Sequence, residues 1–152
     1  MTKAPIPLVV RRIIEAPRER LFSAFTNSET LTCWFTPSPD ISVEALEYEF
    51  APGGRFHLRY EMPDGRKPCV AGVFKEIEPS RLIVMTWEWQ APDPLENVPM
   101  VVTFRFLNAG IGTEVVVVHE GIPSDQACTI HAEGWEGTLT ILGNFIHREI
   151  EQ

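Results

Sequence analysis

Little in this sequence speaks for a charged partner, a membrane span or a disulfide framework. Basic residues are scarce: 13 Lys and Arg stand against 21 Asp and Glu, a formal net charge of −8. That balance argues against nucleic acid or an anionic membrane as the main partner, because either requires a basic patch. Long hydrophobic runs are missing. The longest, Leu82–Met85 and Val115–Val118, have four residues each, against the roughly 20 a helix needs to cross a bilayer. Pro5 and Pro7 interrupt the apolar N-terminal stretch, and Arg11 and Arg12 follow it rather than precede it, so no secretory signal is expected. Cys33, Cys69 and Cys128 are odd in number and widely spaced, which fits three buried or inert thiols in a reducing cytoplasm. Ser23, Ser80 and Ser124 lie in no nucleophile elbow. Gly110-Ile111-Gly112 precedes a strand and, with Asn108, reads as a hairpin turn rather than a phosphate cradle.

Aromatic residues are what the chain does have: nine Phe, four Trp and two Tyr, beside thirteen Pro. Its 152 residues read as a single domain, 1–152, and at 44% hydrophobic it is too apolar to be disordered. Residues 7–15 read as a first strand. Pro17 suits the first position of a helix, and Leu21, Phe22 and Phe25 recur at helical spacing to about Thr26. Ser28 can cap a second short helix that carries Trp34 and Phe35 and stops before Pro37 and Pro39. From Ile41 to His119 the pattern is strands and turns. Pro52-Gly53-Gly54 and Pro63-Asp64-Gly65 bracket Phe56, Leu58, Tyr60 and Met62, which alternate with His57, Arg59 and Glu61. That is a half-buried strand with an aromatic inner face. Further strands are expected at about 69–77, 82–90, 100–107 and 113–120. In the last, Val115, Val117 and His119 share the inward face.

A long helix is predicted from about Ser124 to Ile150, spanning about 40 Å. Trp135, Leu139, Leu142, Ile146 and Ile150 form its apolar stripe, and Glu133, Glu136, Thr140, Asn144, His147 and Glu151 its polar one. Such a helix must lie across the sheet and cover its apolar face. Gly137 and Gly143 interrupt it, each at a cost of up to about 1 kcal/mol relative to Ala, and suggest close packing or a bend. The fold class is therefore α+β: a helix grip, in which a curved antiparallel sheet wraps around a long C-terminal helix, with two short helices after the first strand.

Several blocks carry a family resemblance. They are Arg12-Ile13-Ile14-Glu15-Ala16-Pro17 continuing through Leu21–Thr26 to Trp34-Phe35-Thr36-Pro37, then Pro52-Gly53-Gly54-Arg55-Phe56, Asp64-Gly65 and Glu76–Leu82 with Thr86-Trp87-Glu88-Trp89. Val102-Thr103-Phe104, Gly112-Thr113, His119-Glu120-Gly121-Ile122-Pro123, His131 and Gly134-Trp135 complete the series. In this order the blocks resemble stand-alone domains related to the C-terminal domain of the activator of the heat-shock-protein-90 ATPase. The resemblance implies the superfamily of steroidogenic-acute-regulatory lipid-transfer domains, aromatase/cyclases and birch-pollen-allergen-like proteins, whose members share a hydrophobic cavity under the long helix. One fold there serves carriers, cyclases and co-chaperones. The sequence opens at the first strand of the cavity domain, without the separate domain through which the eukaryotic activator contacts its chaperone, which disfavours a chaperone partner.

The candidate ligand cavity is the inward face of this cup: Trp34, Phe35, Phe56, Leu58, Tyr60, Trp87, Trp89, Phe104, His119, His131, Trp135 and Leu139. Aromatic walls with a few polar groups are the usual makeup of small-molecule sites; the competing reading is that these side chains fill one another's space as core. His119 and His131 are the only candidates for catalysis, as general acid or base or as groups orienting a ligand carbonyl. The competing reading is a neutral histidine bonded to a backbone carbonyl, holding the helix start against the sheet. Cys128 and His131 are three apart, but without a second ligand pair no metal is expected, and no cofactor. Arg55, Arg59 and Arg105 are expected to pair with the acidic scatter of Glu44, Glu47, Glu49, Glu76 and Glu78, or else to meet a ligand carboxylate at the cavity mouth. The favoured function is a cytoplasmic domain that binds an apolar or aromatic small molecule without transforming it. The alternatives are a cyclase or dehydratase using the cavity histidines, and a chaperone ATPase cofactor. A homodimer stays open, with no interface placed.

Overall fold

A computed structural model describes residues 6–151, the side chains of Ile150 and Glu151 excepted; Pro5 and those two side chains, named above, lie outside the described residues. Strand β1 (Leu8–Ile14) leads to helices α1 (Arg18–Ser23) and α2 (Ser28–Leu31). Strands β2 (Ser42–Tyr48), β3 (Arg55–Glu61), β4 (Cys69–Glu78), β5 (Leu82–Trp89), β6 (Met100–Ala109) and β7 (Gly112–Glu120) follow, and helix α3 (Asp125–Glu151) ends the chain. The strands form one sheet in the order β1-β7-β6-β5-β4-β3-β2, with every neighbouring pair antiparallel. Register shifts at Ala45/Glu47 and Phe74/Glu76 are bulges, which bend a strand and increase its twist. They help curl the sheet into the half-barrel that grips α3, as the α+β reading requires.

Local chemistry explains most boundaries. Gly53 and Gly65 adopt φ of +82° and +93°, a region open to glycine without steric cost, and close the turns on either side of β3. Two caps differ from the sequence reading. Pro17 is the extended residue before α1 (φ −70°, ψ 154°) and not its first helical residue. Asn27, and not Ser28, caps α2, its side-chain oxygen accepting from Thr30 N at 2.8 Å; Asn is among the best acceptors at this position. Helix α2 ends at Leu31, so Trp34 and Phe35 sit in the turn that unwinds from it, their amides donating to the Leu31 carbonyl. The hydroxyl of Ser124 accepts from Ala127 N at 3.1 Å and caps α3.

Along α3 the apolar stripe is buried at Trp135, Leu139, Leu142 and Ile146, while Glu133, Glu136, Thr140, Asn144 and His147 are exposed. On β7 the alternation holds at Val115, Val117 and His119, all fully buried. Val116 is buried too, on the opposite face, because its cross-strand neighbours are Arg11 and Arg105, whose long stems can cover it. The thiols are unpaired; Cys33 is exposed and Cys69 and Cys128 are half-buried, so of the two expected states, buried or inert, the buried one does not hold. No helix among the described residues is long and apolar enough to cross a membrane.

Candidate ligand site under the long helix

Strand alternation aims the large side chains of β3, β5, β6 and β7 at α3. Trp87 is the hub. Its ring lies 5.2 Å from Trp135, 5.9 Å from Trp89, 6.1 Å from Phe56, and 6.2 Å from both Phe35 and His119, centroid to centroid. Phe35 and Phe104 complete the contact with Trp135 at 5.8 and 5.6 Å, and Tyr60 meets Trp89 at 6.1 Å. Most of these pairs are tilted or edge to face, the arrangement that the ring quadrupoles favour.

Two tryptophan–histidine hydrogen bonds set the polar pattern. Trp135 Nε1–H donates to His119 Nδ1 at 2.9 Å, which places the proton of the neutral His119 ring on Nε2, 3.2 Å from Met100 Sδ. Trp89 Nε1–H donates to His131 Nε2 at 3.2 Å, so the other nitrogen, Nδ1, donates to the Ala127 carbonyl at 2.8 Å. The two imidazoles lie 4.8 Å apart. Each imidazole thus accepts from a tryptophan, and His131 bonds the carbonyl of Ala127 in its own helix start. Among the described residues, no three His, Cys, Asp or Glu side chains group to hold a metal.

Burial, and secondarily the neighbouring His131, push the His119 imidazole down from 6.5 to about 3. The unfolded chain, with an ordinary imidazole, binds a proton below pH 6.5 that the folded chain refuses. Stability is thus complete above that pH and falls as the solution is acidified, at about 1.4 kcal/mol per pH unit. Between pH 6.5 and 5 the expected loss from His119 is about 2 kcal/mol. Urea unfolding at both pH values should show this loss, and His119→Gln, which keeps an acceptor for Trp135 but cannot titrate, should lack it. Equal losses in both proteins would remove His119 as the cause.

The remaining predicted residues belong to the same continuous core. Trp34 is wholly buried against Phe25 at 4.9 Å and Phe35 at 5.3 Å, with its N–H donated to the Ala24 carbonyl. Leu58 and Leu139 are buried core residues, and Leu139 also borders an outer recess of about 270 Å³ shared by Val10, Arg11, Arg12, Glu136 and Thr140. Met100, which shares strand parity with Phe104 and meets His119, was not among the residues the sequence singled out. Of the three arginines expected to pair with carboxylates, only Arg59 does so, with Glu44 at 2.9 Å. Arg105 lies across from Leu82 and Val116 and has no carboxylate opposite it; Arg55 lies across from Val73 on one side and from Glu49 on the other, where Glu49 N donates to the Arg55 carbonyl at 2.8 Å.

A family model described as Activator of Hsp90 ATPase homolog 1-like protein matches residues 15–146. Among solved structures, a protein from Chromobacterium violaceum is 24% identical, with 92% of this chain and 96% of that one covered and a TM-score of 0.80. The AHSA1 protein from Silicibacter pomeroyi is 20% identical over 95% of this chain and 99% of that one, at 0.83. An AHSA1-like protein from Aeromonas hydrophila is 17% identical over 97% and 96%, at 0.77. At these identities the likeness is one of fold. No curated protein matches the chain.

Proposed function

The chain belongs to the Activator of Hsp90 ATPase homolog 1-like family, and we propose that within it this member binds an apolar or aromatic small molecule between β5, β7 and the first half of α3. One observation carries the reading: the Trp87 side chain is only 3% exposed, yet its Nε1–H has no hydrogen-bond partner. Buried donors are nearly always satisfied, and one left open in an aromatic cluster marks a place for an outside acceptor. Trp89 and His131 are the two half-buried members of the cluster, so a guest reaching Trp87 would pass them. His119 offers no acid at neutral pH, since its ring is held neutral and its Nδ1 is engaged by Trp135. The site therefore suits holding a guest better than transforming it, and the unpaired thiols suit a carrier working in the reducing cytoplasm.

The test is thermal unfolding with cholesterol, oleate and the anthraquinone emodin. A guest present at 100 times its dissociation constant stabilises by about 2.7 kcal/mol, a rise of about 5–10 °C for a domain of this size. We expect such a rise with at least one of the three; no shift with any of them overturns the reading.

A further inference from the structure

Resting on that reading, we propose that the guest is an uncharged aromatic carbonyl compound, a ketone or quinone, whose oxygen accepts the Trp87 Nε1–H, and that Trp87 is the residue that selects it. The three indoles of the cluster have different commitments. Trp135 and Trp89 give their N–H groups to His119 and His131, while Trp87 gives its own to nothing. A hydrocarbon guest would leave that donor unsatisfied in a still drier site, whereas a carbonyl satisfies it. Charge narrows the class from the other side. No Lys or Arg is among the buried residues described, whose polar members are Thr36, Thr103, Thr113, His119 and Thr138. His119, the imidazole that touches Trp87, is held neutral. A carboxylate entering here would shed its water without meeting a cation, which is costly. Tyr60, at the Trp89 end of the cluster, keeps its proton because burial raises its hydroxyl above the ordinary value, so it adds no charge. The walls around that donor are aromatic, five rings lying 5.2–6.2 Å from Trp87, so the guest that complements them is itself aromatic.

Three probes of one shape test the proposal: fluorene, 9-fluorenone and fluorene-9-carboxylate, each measured by equilibrium dialysis against the full chain at neutral pH. We expect 9-fluorenone to bind about five- to tenfold more tightly than fluorene, the worth of one neutral hydrogen bond, and the carboxylate to bind more weakly than either. Trp87→Phe keeps a ring and removes the donor, so the ketone-to-hydrocarbon ratio should fall to about one. Reading a ratio cancels any general loss that smaller packing brings. A second measurement needs no variant: the infrared carbonyl stretch of bound 9-fluorenone should move to lower frequency than in hydrocarbon solvent. Equal binding of ketone and hydrocarbon, a preference that survives Trp87→Phe, a carboxylate that binds best, or an unshifted carbonyl band overturns the proposal while leaving the binding reading in place. Failure of all three probes to bind overturns the proposal, while the binding reading is decided by the thermal test.

Discussion

Trp34→Ala is expected to cost about 3–5 kcal/mol of stability, the range for truncating a large aromatic in a packed core. Trp34 has no solvent exposure, and its ring meets Phe25 and Phe35 edge to face at 4.9 and 5.3 Å. The truncation opens a void that these rings cannot fill, since both are anchored elsewhere: Phe25 against Phe104 at 5.0 Å and Phe35 against Trp135 at 5.8 Å. It also strands the Ala24 carbonyl, which accepts the indole N–H at 3.0 Å, and an orphaned buried acceptor adds about 1–3 kcal/mol. Trp34→Phe, which refills most of the void but not the hydrogen bond, should cost less than half as much. Urea unfolding of both variants reads the difference. A loss below 1 kcal/mol for the alanine variant would mean that the region beside Trp34 is loosely filled, and would move it back from core to candidate cavity wall.

That result matters because sequence reasoning could not draw the line between core and site. Leu58 and Trp87 carried the same signal, an apolar residue of inward strand parity, and Trp34 came in as an aromatic of the short helix; only three-dimensional partners separate them. Trp34 is tied to the turn after α1 by its N–H, Leu58 is surrounded by core, and Trp87 alone keeps an open donor. The fold itself was legible, because periodicity is a local property. Residues two apart on β7 and three or four apart on α3 declare their faces without knowledge of the partner. The two glycine turns around β3 were legible for the same reason. The tryptophan–histidine bonds were not, since Trp89 and His131 are 42 residues apart and His119 and Trp135 are 16 apart. Parity brought each pair to the same space, but which nitrogen faces which indole is decided by packing. Arg105 failed in the converse way: it had the right alternation, but the strands beside it place Leu82 and Val116 opposite.

The same reasoning gives the two glycines of α3 opposite fates, although the sequence treats them alike. Glycine to alanine in a helix interior gains up to about 1 kcal/mol by propensity and unfolded-chain entropy. At Gly143 a new Cβ would sit 3.6 Å from Arg12 Nε and 3.7 Å from Ile14 Cγ1, ordinary contact distances, so Gly143→Ala should be stabilising by about that amount. At Gly137 a Cβ would collide with the carbonyl oxygen of Pro37. Backbone cannot rotate aside as a flexible side chain does, so the helix must move off the 37 segment, at a cost near the upper end of overpacking, about 3 kcal/mol. The two alanine variants should therefore differ by about 4 kcal/mol in urea unfolding, with opposite signs relative to the native chain. The displacement should reach the candidate site as well, because Trp135 on the neighbouring turn packs on Phe35, two residues before Pro37. Gly137→Ala is thus expected to weaken guest binding where Gly143→Ala leaves it intact. Equal stabilisation by both substitutions would show that α3 does not rest on the Pro37 carbonyl, and that the close approach is not what holds Trp135 over Trp87.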